Sequence, residues 1–273
     1  MGRDSDSGSE ESLLKTYATI VVSDSGSVRT VTLNRPGRRN AMTPEMQLEL
    51  LAALEDTAAS GCRVLVLAAA GNAFCSGLDL SALQSALHGT VLEHRAEADR
   101  LARLFLALYE LPIPTIAAVH GPAIAGGTGL AMICDFTLAT PEAEFGFTEV
   151  RIGFVPALVS AFLALQVGHK QSMDLLLTGR LFGADEALRL GLVHEIVPRD
   201  QLAGRVKELA GTLLANSPQA LHATKRLVIE HNKEWLTTAI AGAIEAGAEA
   251  RTTSDFREGV SAFLEKRRPA WKK

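Results

Sequence analysis

The order of segments predicts an α/β fold that ends in a helical carboxy-terminal region. Two short continuous apolar runs, "CRVLVLAAA" from Cys62 to Ala70 and "TIAAVHG" from Thr115 to Gly121, read as strands buried on both faces. Each leads through a glycine-containing loop, at Gly77 and at Gly126, into helical sequence. Strand, glycine loop and helix thus occur twice, which implies parallel crossovers with backbone amides exposed at the strand-to-helix loops. From Pro156 the chain reads as helical almost to its end.

Taken in order, "MGRDSDSGSEES" is acidic and rich in serine and glycine, and residues 1–13 read as a disordered tail. The stretch "YATIVVSDSGSVRTVTLNRP" predicts two strands around a polar turn from Ser23 to Ser27. Thr43 followed by Pro44 is a helix start, continued by Met46, Leu50, Leu51 and Leu54 and ended near Gly61. After the strand at 62–70, "GNAFCSGLDLSAL" is a loop entering a helix. Thr90 to Leu111 has an apolar face at Leu101, Leu104, Phe105 and Leu108 and stops at Pro112 and Pro114. "FTLAT" and "EFGF" are short strands, and "LVHEIV" is a brief extended piece. Helical stretches are expected over Gln201 to Asn216, Pro218 to Glu230 and Trp235 to Thr252, with an amphipathic helix in the final twenty residues. Residues 14–200 form the expected core and 201–273 a helical region suited to packing on the core or on a second subunit.

Composition excludes several function classes. The chain has 273 residues, 47% of them hydrophobic, and a formal net charge of −4, so no global positive field recruits nucleic acid or an anionic membrane. Cys62, Cys75 and Cys134 are odd in number and lack CxxC spacing, which argues against a disulfide framework and a zinc site. The start lacks the apolar core of a signal peptide, and prolines and glycines interrupt the longest apolar stretch, so a cytoplasmic protein is expected. The histidines show no ligand spacing, and no metal is assigned.

Two motif readings fail on single residues. A nucleophile elbow at Ser76 needs glycine where Phe74 stands, and a dinucleotide loop starting at Gly127 needs glycine where Met132 stands. His120 reads as a hydrogen-bonded structural residue. What remains is a pair of glycine-flanked loops able to aim main-chain N–H groups into one pocket, with carboxylates downstream at Glu142, Glu144 and Glu149. Two converging amides make an oxyanion hole. Glu142 and Glu144 fall in the polar turn "TPEAEF" and are expected in solvent. Glu149 follows "FGFT", in apolar surroundings that would raise its pKa and suit it to act as a base.

These pieces, "VTLNRPGRRNAMT", "AFCSGLDL", "IPTIAAVHGPAIAGGTGLAMICD", "FGFTEVRIGFVP", "LLLTGRLFGADEALRLGLVHEIVP" and "DFREGVSAFLEKR", resemble the enoyl-CoA hydratase/isomerase (crotonase) superfamily from Tyr17 to the carboxy terminus. The resemblance implies a crotonase-like spiral of ββα units with a carboxy-terminal helical trimerisation region, and a homotrimer or hexamer. It implies acyl-CoA as substrate, no further cofactor, an oxyanion hole on the amides of Leu78 and Gly126, and Glu149 as acid/base. It places Arg35 near the CoA phosphates, and Phe263 with Lys266 near the adenine end. The family's hydratases typically carry a second glutamate, which aligns with Gly129 here, and many members have a glycine-rich turn where this chain has Ala157, Leu158, Val159 and Ser160. With glycine at 129, "TEVRIGFVPA" is more similar to the methylglutaconyl-CoA hydratase-like members than to single-glutamate isomerases. A hydratase acting through one glutamate is therefore expected, with a double-bond isomerase or a non-catalytic acyl-CoA-binding protein as alternatives.

Overall fold

The computed structural model describes residues 16–271, so the acidic stretch 1–13 lies outside it. Strand β1 (Ile20–Ser25) turns back into β2 (Val28–Leu33), the expected hairpin. Helix α1 (Pro44–Ala59) starts under the Thr43 hydroxyl, which accepts the Met46 N–H. Strand β3 (Val64–Ala69) leads through the first glycine loop to α2 (Leu80–Ala86) and α3 (Val91–Tyr109), and Thr90 and Glu93 cap α3 reciprocally. Next come β4 (Thr115–Val119), β5 (Ala123–Ile124), α4 (Gly126–Ile133), β6 (Phe136–Ala139) and β7 (Glu144–Gly146). The remainder is α5 (Ala157–Thr178), β8 (Leu181–Gly183), α6 (Ala184–Arg189), β9 (Glu195–Ile196), α7 (Leu202–Leu214), α8 (Pro218–Ala250) and α9 (Ser254–Leu264).

Six strands form one sheet in the order β1-β2-β3-β4-β6-β9, parallel except for the opening hairpin, and β5, β7 and β8 form a second. Alternation along the central strands explains their continuous apolar sequence. Leu65 and Leu67 of β3, with Ala117 and Val119 of β4, face the main core, whereas Val64, Val66, Ile116 and Ala118 face Leu202, Val206 and Leu213 of α7. The sheet is covered on both sides.

The carboxy-terminal helices lie against this core. Besides α7 on the sheet, α8 packs on α3 and α5, and α9 packs on α2 and on a 3-10 turn at Glu149–Ile152. Two expectations need correcting. The separate stretches ending at Glu230 and resuming at Trp235 are one helix of 33 residues, because "HNKE" between them contains neither glycine nor proline to break it. The short strands β5 and β8 were not foreseen, since two or three residues leave no periodicity to read.

Candidate active site

Isolated bridges tie the first glycine loop to the segment before α1 and to the second glycine loop. Met42 pairs with Leu78 in parallel: the Met42 N–H donates to the Gly77 carbonyl at 2.7 Å, and the Met42 carbonyl accepts the Asp79 N–H at 3.0 Å. In such a bridge the flanking groups of Leu78 are consumed and its own N–H is left on the opposite edge. A second bridge joins Cys75 to Ala123, with the Ile124 N–H donating to the Cys75 carbonyl at 2.8 Å. Helix α4 begins immediately afterwards, and its first residue, Gly126, has no intrahelical acceptor for its N–H. Among the described residues neither the Leu78 nor the Gly126 N–H has a hydrogen-bond partner.

The glycine cluster is required by close approach. A Cβ at Gly127 would lie 2.2 Å from the Cys75 carbonyl oxygen, and one at Gly126 would lie 2.6 Å from the Met42 methyl. Bare backbone lets α4, apolar on every side, pack against the first glycine loop. Ala125, just before the helix, holds φ at 54° while its N–H donates to the Gly146 carbonyl at 2.6 Å. A non-glycine residue in that region is strained, and here the strain sits beside the unpartnered Gly126 amide.

Leu78, Gly126 and Glu149 line one cavity of about 530 Å³, with a largely apolar wall that includes Leu101, Phe154 and Leu158. That volume is typical of small-molecule sites. Glu149 opens the 3-10 turn after β7, and its Oε2 is buried with no hydrogen-bond partner. Burial pushes its carboxyl up to about 7, against a smaller lowering by a backbone hydrogen bond. Two free N–H donors and one lone carboxyl can stabilise a developing oxyanion and move a proton in the same enclosed space.

The other sequence candidates divide. Phe263 lines the cavity and is 51% exposed, whereas Lys266, just beyond α9, is exposed and does not reach the lining. Arg35 does not face the cavity. Its Nη1 donates to Asp79 Oδ2 at 2.9 Å and to the Ala41 carbonyl at 2.5 Å, which ties the first glycine loop to the segment before α1. Burial alone would raise the Asp79 carboxyl, but hydrogen bonds from Ser81 and Arg35 outweigh it and lower its pKa. The exposed arginines at the cavity edge are Arg38 and Arg39. In "RPGRR" sequence alone does not say which arginine turns inward, because that depends on where Asp79 lies. His120 Nε2 contacts the Gly71 carbonyl at 2.9 Å, away from the cavity, and Glu142 and Glu144 are exposed. The sequence reading missed Arg251, which also lines the cavity.

Among the described residues, no group of three or more His, Cys, Asp or Glu side chains is placed to hold a metal ion, and no helix is long and apolar enough to cross a membrane. The profile of the family "Enoyl-CoA hydratase/isomerase" matches residues 23–273. A Thermus thermophilus protein named "Putative enoyl-CoA hydratase" is 45% identical over 251 residues, covering 92% of this chain and 99% of that protein. The crotonyl-CoA hydratase of Syntrophomonas wolfei is 32% identical, covering 92% and 97%. Among solved structures, an enoyl-CoA hydratase/isomerase from Xanthobacter autotrophicus superposes with a TM-score of 0.85 at 31% identity, covering 92% of this chain and 98% of that one. Sequence, fold and a cavity of this design agree: the chain is an enzyme of the enoyl-CoA hydratase/isomerase family.

Proposed function

We propose that the chain adds water to 2-enoyl-CoA thioesters, or removes it from 3-hydroxyacyl-CoA, with Glu149 as its single acid/base and the N–H groups of Leu78 and Gly126 as its oxyanion hole. The observation that carries this reading is the unpartnered, buried Glu149 oxygen in one cavity with two unpartnered amides. The Glu149 carboxylate takes a proton from water as the hydroxyl adds to C3. Negative charge moves onto the thioester oxygen, where the two amides receive it. Glu149 then returns a proton to C2, so one water is added and the carboxylate is regenerated. Removing one such oxyanion donor typically costs about 3–4 kcal/mol of barrier.

An isomerase would use the same carboxylate to move a proton between C2 and C4, but the relatives compared above favour hydration. Arg38 and Arg39 are better placed than Arg35 for the CoA phosphates, with Phe263 beside the nucleotide. The chemistry needs no further cofactor. The exposed Leu227, Val228 and Trp235 on α8 support a homotrimer or hexamer, and we assign the enzyme to cytoplasmic fatty-acyl metabolism. Incubation with crotonyl-CoA and a 3-enoyl-CoA in deuterated water separates the readings. Hydration adds one water's mass and deuterium at C2, and isomerisation moves the double bond without gaining oxygen. Tight thioester binding with neither product would refute the enzymatic proposal.

A further inference from the structure

Arg251 is a buried charge that the proposed hydration leaves unused. It stands at the carboxy-terminal end of α8, 7% exposed, and lines the same cavity as Glu149, Leu78 and Gly126. Ala243, Gly247 and Arg251 recur every fourth residue, share one face of α8 and all line that cavity. The two small residues leave space in front of the guanidinium. A Cβ at Gly247 would meet only the Ala157 Cβ, at 3.9 Å.

The guanidinium has few partners. Its Cζ lies 4.7 Å from the centroid of the Phe154 ring, and Nη1 donates to the Gly247 carbonyl at 3.3 Å. Arg251 and Glu97 of α3 both line a small adjoining pocket of about 20 Å³, yet among the described residues no carboxylate comes within ion-pairing distance of Arg251. A guanidinium offers five N–H donors, and burying its charge without an anion is unfavourable. The exposed Arg38 and Arg39 suit phosphates that stay in water. Arg251, inside the cavity, suits an anion carried in on the acyl chain.

We propose that Arg251 receives a carboxylate at the distal end of the acyl group, so that the preferred substrates are 2-enoyl-CoA thioesters of dicarboxylic acids; this rests on the acyl-CoA reading given above. Phe154 covers one face of the guanidinium and leaves its N–H edge available for paired hydrogen bonds to the two carboxylate oxygens.

The test pairs each carboxylated thioester with a neutral isostere in which an isopropyl group replaces the carboxylate. Glutaconyl-CoA and its isostere are compared by kcat/KM for hydration, and glutaryl-CoA and its isostere by calorimetric Kd, which needs no turnover. The unmodified chain is expected to favour the carboxylated member of each pair on the order of 10²-fold. Arg251→Met should bring both ratios towards one. Arg251→Lys, which keeps the charge but not the paired donors, should hold an intermediate ratio. Ratios near one in the unmodified chain, or parallel losses on both members of a pair in Arg251→Met, would overturn the assignment and leave Arg251 a structural cap of α8. A binding preference without any hydration supports the Arg251 assignment and refutes the hydratase reading. Hydration of the isostere with no carboxylate preference does the reverse.

Discussion

Replacing Glu149 by glutamine removes the only carboxylate assigned to proton transfer while keeping the shape of the side chain. Activity on every accepted acyl-CoA should fall by about 10²- to 10⁴-fold, the range for losing one general acid/base. The structure adds a second, independent readout. Burial lifts the carboxyl from an ordinary value near 4.5 to about 7. Below pH 4.5 the group is protonated both folded and unfolded, and it contributes no pH dependence. Between about 4.5 and 7 the unfolded chain ionises while the folded one holds its proton, so stability declines with rising pH and levels off above 7. The full decline corresponds to about 3 kcal/mol. Glu149→Gln cannot ionise and should lack that component. The measurement is urea unfolding of both proteins at fixed concentration from pH 4 to 8. The slope with pH is diagnostic, because the buried amide shifts absolute stability by an amount of its own. In the proposed mechanism the ionised form is the base, so kcat/KM for hydration should rise with pH through about 7. Near-normal turnover by folded Glu149→Gln would refute the mechanism. An unchanged pH slope would refute the burial argument even if activity were lost.

Gly126→Pro removes the N–H assigned to the thioester oxygen and should cut turnover by about 10²- to 10³-fold. Gly126→Ala meets the same Met42 methyl at 2.6 Å but keeps the N–H, so equal activity in the two folded variants would remove Gly126 from the oxyanion hole. Gly129→Glu should destabilise the fold, by roughly 1–3 kcal/mol or more in a urea titration, without raising hydration, because Val159 and Phe105 occupy the space its side chain enters. A stable Gly129→Glu variant with faster hydration would contradict that packing argument. Light scattering should report three or six times the chain mass, and a monomer across a wide dilution range would contradict the assembly proposed for α8.

Much of this was legible in the sequence because local patterns are read by local forces. The continuous apolar runs became strands buried on two faces, Thr43 became a helix cap, and the glycine at 127 marked where backbone approaches backbone. Glu149 was legible for a related reason, since "FGFT" before it is buried with the strand that carries it. Arg35 was misplaced because its direction is set by Asp79, forty-four residues away, which no nearby pattern encodes. Arg251 was invisible because its burial requires α8 to fold back over α3 and α5 and bring its last turn to Phe154. Long-range pairing decides such side chains.

The two departures from the family pattern, glycine at 129 and bulk after Pro156, meet at one contact. A Cβ at Gly129 would lie 2.8 Å from Val159 Cγ1 and 2.9 Å from Phe105 Cζ. Val159 comes from the segment that departs from the glycine-rich turn, and it lines the cavity. The room that a second carboxylate would need has therefore been filled by hydrocarbon from a neighbouring element, and the two changes are physically one. This packing also bears on Glu149. A second carboxylate nearby would make its ionisation harder through like-charge repulsion, whereas hydrocarbon leaves desolvation as the main force on it. Desolvation, opposed only by a smaller lowering from a backbone hydrogen bond, lifts the carboxyl to about 7, where both protonation states are populated near neutral pH. In the proposed mechanism a single group must first take a proton from water and then give one to carbon, and such a balance lets one residue do both. Glycine at 129 is thus accompanied by a site that, on the proposed mechanism, keeps Glu149 usable in both directions.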